Sequence, residues 1–364
     1  MQQLIVSTCG TSLITNQAGE RRSLVTCYAN ARTDQDVPLA DRLELASLLE
    51  EMRRALSGAD NTGRERMSAE LNGLLRLYGG RLDACRDTHW LIATDTWLGA
   101  ATAQAICEVL ESAGHTVVIK RITDLRTDSL LEFRGAMAEL VRLCAQEVRG
   151  MREGGSRVVF NLTGGFKSVQ GFMQALGMLY ADECVYVFER TTELLRLPRL
   201  PIKMDSDALV SEHQKTFRRL VAGLPVPLAD ARSVPDTLLM EVDGQVTLSV
   251  WGDVVWAEAG AALLGQKLWE PVDPKLRFAA TLAAQVNVCA RDEVRQVNQR
   301  LAELARHLHE PNYNPSRLDF KKLKGVHGRW THECDAWATG GAKRLFGYFD
   351  GGVFVVEALK EGLH

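Results

Sequence analysis

Over its first 190 residues the chain alternates short apolar runs with longer segments of helical period, and this alternation limits the folds open to it. Gln2–Thr8 is an apolar run closed by Cys9-Gly10, as a buried strand entering a loop reads. Residues 38–57 carry apolar side chains at helical spacing. Strand-like His89–Thr94 precedes a helix over Leu98–Ala113 that Gly114 ends. His115–Ile122, Ser129–Arg149, Arg157–Leu162, Val169–Tyr180 and Cys184–Glu189 continue the pattern of strand, helix, strand, helix, strand. Strands alternating with helices predict a doubly wound, Rossmann-like parallel sheet, an α/β domain over 1–190. Such sheets bind ligands beyond the carboxyl ends of their strands.

From Thr191 the rhythm breaks. Pro198, Pro201, Pro225, Pro227 and Pro235 crowd the next stretch, and Leu238–Glu258 alternates around Asp243-Gly244 and Gly252-Asp253 as small hairpins do. Residues 191–270 therefore read as a connector. The segment 271–364 opens with a short strand at Lys275–Phe278 and a helical stretch over 279–309, which Pro311 and Pro315 end. Three strand-like runs follow, Arg329–Trp337, Ala342–Phe349 and Val353–Leu359, predicting a small α+β domain.

Composition narrows the function classes. At 46% hydrophobic residues the chain is globular in type. No apolar run approaches the ~20 residues of a membrane span, so no membrane partner is expected. The N-terminus lacks the basic start of a signal peptide. Eight Cys without a C-x-x-C pair read as free thiols in a reducing cytoplasm, with no metal expected. The net charge of −3 hides a division: residues 271–364 hold 14 Lys+Arg against 11 Asp+Glu, and five of the eight His. That basic segment is where nucleic-acid chemistry is expected.

Two strand ends carry unusual loops. Ser7-Thr8-Cys9-Gly10-Thr11-Ser12 follows the first strand, and Asn161-Leu162-Thr163-Gly164-Gly165-Phe166-Lys167-Ser168 follows another. Glycines let backbone N–H groups approach an anion, hydroxyls add donors and Lys167 adds charge. The same residues also suit ordinary βα turns with N-caps. Neither loop matches a Walker or dinucleotide fingerprint. LIVSTCGTSL with FNLTGGFKSVQGFM, about 150 residues later, resembles the CARF domain of CRISPR ancillary effectors, and LRLPRLPI fits the same group. The resemblance covers about residues 1–200. It implies a homodimer that binds cyclic oligoadenylate, preferably cyclic tetra-adenylate, as an activator. Thr8, Gly10, Thr11, Ser12, Asn161, Thr163, Gly164, Gly165 and Lys167 would then face the ligand, with Thr94, Asp95, Thr96 and Gly99 edging the pocket. It also leaves open a ring-nuclease activity that degrades the activator, using Ser12 or Thr11 with Lys167.

Residues 311–332, PNYNPSRLDFKKLKGVHGRWTH, interleave Arg317, Lys321, Lys322, Lys324 and Arg329 with Tyr313, Phe320 and Trp330. Cations meeting phosphates and rings stacking bases suit single-stranded RNA, although a solvated charged face reads the same way. LDFKKLKG, RWTHECDAW, AKRLFGYFDGG and VFVVEALKEG together resemble a RelE-type toxin. That likeness implies metal-independent mRNA cleavage in the ribosomal A site. Lys321, Lys322 and Lys324 would face phosphates, Arg329 and Arg344 would hold the scissile phosphate, and His332 or His327 would move protons; Tyr348 stands in for the family's late aromatic. Two alternatives remain. Arg300 and His307 fit the loose R-x4–6-H signature of a helical HEPN ribonuclease, and a non-enzymatic CARF regulator would bind DNA through helices after residue 191, where a recognition helix needs clustered cations and 205–230 supplies only Lys215, Arg218 and Arg219.

Overall fold

The computed structural model describes residues 3–126, 128–165, 167–188, 193–201, 204–242, 244–338 and 340–362, without the side chains of residues 131, 168, 326 and 327. The chain forms two compact units, Met1–Lys203 and Met204–His364. Among the described residues no helix is long and apolar enough to cross a membrane.

The first unit is built on six strands: β1 (Gln3–Cys9), β2 (Thr88–Ala93), β3 (Thr116–Arg121), β4 (Arg157–Asn161), β5 (Glu183–Val187) and β6 (Leu194–Pro198), in the order β3-β2-β1-β4-β5-β6. The first five are parallel; β6 runs antiparallel along β5. The doubly wound α/β sheet read from the sequence is present, and β6 carries this unit past the expected limit at residue 190. β1 and β4 are buried almost throughout, as central strands covered on both faces must be. Edge strand β3 instead alternates between exposed and half-buried residues. The helix Leu39–Gly58 buries Leu45, Leu48, Leu49, Met52 and Leu56, a stripe of spacing three to four that seals one face of the sheet. Because the chain moves from β1 outward to β2 and β3 and then returns to β4, the direction of winding reverses between β1 and β4.

The second unit holds two cores. Helices Ser206–Glu212 and Val250–Leu264 pack with the hairpin of β7 (Leu239–Val242) and β8 (Gln245–Leu248) around Val210, Phe217, Val255 and Leu263. The hairpin expected at Gly252-Asp253 is instead the first turn of the Val250–Leu264 helix, with Ser249 as N-cap accepting the Gly252 N–H at 3.2 Å. Apolar residues surround this helix on every side, which removes the helical period from the sequence. The remaining core lies under a sheet of β9 (Leu276–Phe278), β10 (Lys321–His327), β11 (Trp330–Trp337), β12 (Lys343–Asp350) and β13 (Val353–Lys360), ordered β10-β11-β12-β13-β9. β10 was read only as a basic stretch, since its lysines mask any alternation. Helices Ala280–Val286 and Arg291–His309 join β9 to the meander. A five-stranded sheet here excludes the all-helical HEPN alternative.

At the amino ends of β1 and β2 lies a buried polar cluster. Asp87 accepts from the Gln3 N–H at 2.9 Å and the Tyr78 hydroxyl at 3.0 Å, and that hydroxyl also lies 3.0 Å from His89 Nε2. Burial, with the His115 ring beside it, holds the His89 imidazole down to about 3. Between pH 6.5 and 3 the unfolded chain takes up a proton at this position that the folded chain refuses, so stability falls as pH falls through that window. His89→Leu should flatten the dependence by up to about 1.4 kcal/mol per pH unit, read from urea midpoints between pH 4 and 7. An unchanged slope would refute the assignment.

Candidate functional site

The loops after β1 and β4 meet at the reversal point of the sheet. The Thr8 hydroxyl donates to the Gly164 carbonyl at 2.5 Å. Gly165 adopts φ +98°, and a Cβ there would stand 2.9 Å from the Thr8 side chain, so glycine is required for both conformation and approach. Sequence reasoning thus brought together two loops that do touch. It missed what lies beneath them.

Glu70, on the helix Ala69–Leu77, is fully buried under both loops. Its carboxylate accepts the Gly10 N–H at 2.9 Å, the Ser12 hydroxyl at 2.7 Å and the Ser68 hydroxyl at 2.8 Å. Its backbone carbonyl accepts from Asn161 Nδ2 at 3.1 Å. A Cβ on Gly164 would lie 2.3 Å from the carboxyl group, which fixes glycine there as well. Two of the donors expected to meet an external anion, the Gly10 N–H and the Ser12 hydroxyl, are therefore already satisfied by an internal carboxylate. Asn161 is fully buried, its Oδ1 accepting both the N–H (3.3 Å) and the hydroxyl (2.9 Å) of Thr163. Thr11 caps the next helix through its carbonyl, which accepts from the Thr15 N–H at 2.9 Å.

The third loop serves its own neighbourhood. Thr94 and Thr96 are buried with their hydroxyls 2.9 Å apart, and Thr96 caps the helix Trp97–Ser112 by accepting the Gly99 N–H at 3.1 Å. Asp95 accepts from Arg121 Nε at 2.9 Å and the Asp124 N–H at 3.1 Å. Each of these three side chains thus has partners within its own neighbourhood.

What stays open is a cleft of about 530 Å³ beside β5. Thr163 and exposed Lys167 line it, as expected from sequence, together with Gln170, Gln174, Tyr186 and Phe188. Lys167, Gln170 and Gln174 share one face of the helix Lys167–Tyr180, a spacing of three and four that was visible but unread. The helix begins at the second loop, so its amino end and Lys167 give this cleft positive character.

In the second unit the expected catalytic residues do not converge. Lys322 pairs with His332 across β10 and β11, and Lys321 with Glu333. Adjacent strand residues point to opposite faces. Arg344 lies 3.1 Å from Glu333, so its guanidinium and the His332 ring occupy opposite faces of the sheet. Arg344 also meets Asp319 at 2.8 Å and Asp335 at 2.5 Å. Surrounded by three carboxylates, it cross-braces the strands and cannot hold the same phosphate as His332. Arg329 donates from Nε to Glu357 at 2.7 Å and lies over the Tyr348 ring at 5.0 Å. Lys324 is exposed, and the His327 side chain is outside the described residues. The His332 ring stacks on Phe320 at 5.2 Å, and Phe320 in turn contacts the His307 ring at 4.9 Å. Burial, then the Lys322 charge, lower the His332 imidazole below its ordinary value, favouring the neutral ring that accepts a proton.

Residues 65–200 match the model of a family described as CRISPR-associated protein (Cas_APE2256). That span takes in β2 to β6 and the Asn161–Lys167 loop, but not the β1 loop. Among solved structures, Can2 from Sulfobacillus thermosulfidooxidans in complex with cyclic tetra-adenylate aligns over 98% of this chain and 78% of its own, at 9% identity and a TM-score of 0.23. An alignment that loose does not bear on the fold, which rests on the topology above. No curated protein matches the chain.

Glu70→Ala would strand two buried donors, the Gly10 N–H and the Ser68 hydroxyl, each costing about 1–3 kcal/mol when unpaired, and the half-buried Ser12 hydroxyl besides. We expect the first unit to lose about 3 kcal/mol or more, with Glu70→Gln losing less because its amide oxygen keeps one acceptor. Urea unfolding followed by a probe in the first unit checks this, and a loss below about 1 kcal/mol for Glu70→Ala would contradict the role given to Glu70.

Proposed function

We propose that the chain is a CRISPR-associated effector in which the α/β unit senses a cyclic oligoadenylate, preferably cyclic tetra-adenylate, and the C-terminal domain cleaves mRNA. The observation that carries the sensing half is the cleft beside β5, with Lys167 at the amino end of its helix, inside the segment that matches the CRISPR-associated family. Phosphates would meet Lys167 and the helix end, while Gln170, Gln174 and the Tyr186 and Phe188 rings suit ribose and adenine. Thr8, Gly10, Ser12 and Glu70 would hold the loops in shape beneath the ligand. Action as a homodimer belongs to this reading, as does any slow cleavage of the activator.

The cleaving half rests on Lys322 opposite His332, with Lys324 along the same strand and Phe320 and His307 behind. Attack of a ribose 2′-hydroxyl on the adjacent phosphate forms a 2′,3′-cyclic phosphate and breaks the bond to the next nucleotide's 5′-oxygen; it needs an acceptor for the hydroxyl proton, a cation near the phosphate and a proton for the leaving oxygen. A neutral His332 would take the hydroxyl proton, Lys322 would meet the phosphate charge, and the leaving oxygen would take its proton from solvent. The order strand, two helices, meander is the one the RelE resemblance implies, and the ribosomal A site is the substrate setting it suggests. Arg344 has no chemical part in this reading. The regulator alternative is disfavoured, because Arg218 and Arg219 donate inward to the Glu270 and Val272 carbonyls.

Titration calorimetry with cyclic tetra-adenylate should show binding that Lys167→Ala weakens about tenfold, the loss of one charge-assisted contact. With the ligand, mRNA free or on translating ribosomes should be cleaved in EDTA, and His332→Ala should lower the rate at least a hundredfold at unchanged ligand affinity. Absence of ligand-dependent cleavage in both settings would overturn the nuclease half. Absence of binding would overturn the sensor half.

A further inference from the structure

The second unit contains a second cationic site, built on helices that precede the basic stretch and sharing only Tyr313 and Arg317 with it. A cleft of about 390 Å³ lies among the helices Gln214–Val221, Val250–Leu264 and Arg291–His309. Arg218, Arg300, Arg306 and Arg317 line it, and Glu303 is the acidic residue among them. Glu303 bridges Arg300 at 2.9 Å and Arg317 at 2.6 Å, so one carboxylate answers two guanidiniums. Arg306 meets Glu310, an exposed residue, at 3.1 Å. Arg218 is buried, and burial pulls its guanidinium down to about 10. It donates to the Gln214 side chain and the Glu270 carbonyl and lies over the Trp269 ring at 5.6 Å; the Glu270 charge acts on it, but among the described residues no carboxylate is in ion-pair contact with it. A buried cation without a carboxylate in contact is costly, and an anion in the cleft would relieve it.

Two aromatic rings complete the lining. Arg306 lies 4.1 Å over the Tyr313 ring, and a Cβ on Gly223 would come within 2.9 Å of Arg306 Nη1, so the guanidinium is clamped flat between them. Trp256 stacks against Phe217 at 6.1 Å and crosses Gly260, where a Cβ would lie 2.5 Å from the ring. Guanidiniums fork onto phosphate oxygens, and indole or phenol rings stack bases. The volume is within the range of small-ligand sites. We propose that this cleft binds a nucleotide unit of single-stranded RNA, its phosphate on Arg306 and Arg317 and its base against Trp256. Glu303 then acts as an internal competitor for the phosphate and sets the affinity. An acidic peptide would use the arginines but not the rings, which is why RNA is favoured.

The test is fluorescence anisotropy of the full chain with a labelled decaadenylate RNA across a salt series. Arg306→Ala with Arg317→Ala should weaken binding about tenfold or more and lower the salt slope by about 1.4, two contacts at roughly 0.7 each. Glu303→Gln should tighten binding several-fold, a gain that loss of a purely structural contact would not give. Lys322→Ala should leave the effects of these substitutions in place, which separates this site from the nuclease reading. ATP competing with the RNA, with the same arginine dependence, would assign the site to free nucleotides; failure of ATP to compete assigns it to the strand. Unchanged RNA affinity in the folded double variant, no binding of either ligand, or equal competition by poly-glutamate would overturn the proposal. Thermal melting of each variant establishes that it is folded.

Discussion

The first unit depends on a buried carboxylate. Glu70 joins three segments that are far apart in sequence: the β1 loop through Gly10 and Ser12, its own helix start through Ser68, and the β4 end through Asn161. A carboxylate buried without partners would be strongly disfavoured, so its acceptance of three donors is a condition for the sheet's reversal point to close at all. Glycine at 164 and 165 follows from that closure, because both positions lie against Glu70 or Thr8. The same arrangement moves any ligand site sideways. With the Gly10 amide and the Ser12 hydroxyl already occupied, Lys167 and the helix behind it supply positive field where the open space lies, beside β5.

The same distinction between a charge present and a charge available governs the second unit. Arg344 has three carboxylates within 3.1 Å, and Arg329 is held by Glu357. In the cleft around Glu303 the ratio is inverted, with guanidiniums outnumbering carboxylates. A polyanion must displace an existing counter-ion before it can use a paired cation, so the surplus cations set where binding is favourable. Counting Lys and Arg along 311–332 identifies the domain as basic, but it does not distinguish the two cases.

These differences explain how much the sequence made legible. Strand and helix alternation is a short-range property carried by β1, β2, β4 and β5, each a run of apolar residues, and the parallel α/β sheet follows from it. The helix at Val250–Leu264 was lost because it is apolar on all sides, and β10 because its lysines break the alternation. Glu70 gave no local signal: Ser68-Ala69-Glu70 is an ordinary helix start, and only the fold carries its side chain under two distant loops. That Lys167 and Thr163 sit together at one strand end was legible because they are only four residues apart. Arg344 was misplaced because its partners Asp319, Glu333 and Asp335 come from across the sheet and the preceding loop.

His332 shows how the face of a strand decides chemistry that residue type leaves open. On β11 it alternates with Glu333, so a shift of one residue in register would place the carboxylate beside Lys322 and the imidazole beside Arg344. In the observed register the imidazole stacks on Phe320, meets the Phe354 ring edge-on and faces a cation, and both its burial and that charge favour its neutral form. On the opposite face, Glu333 and Asp335 draw Arg344 into a brace. One face of this sheet is thereby electrostatically closed, and the other keeps a proton acceptor next to Lys322.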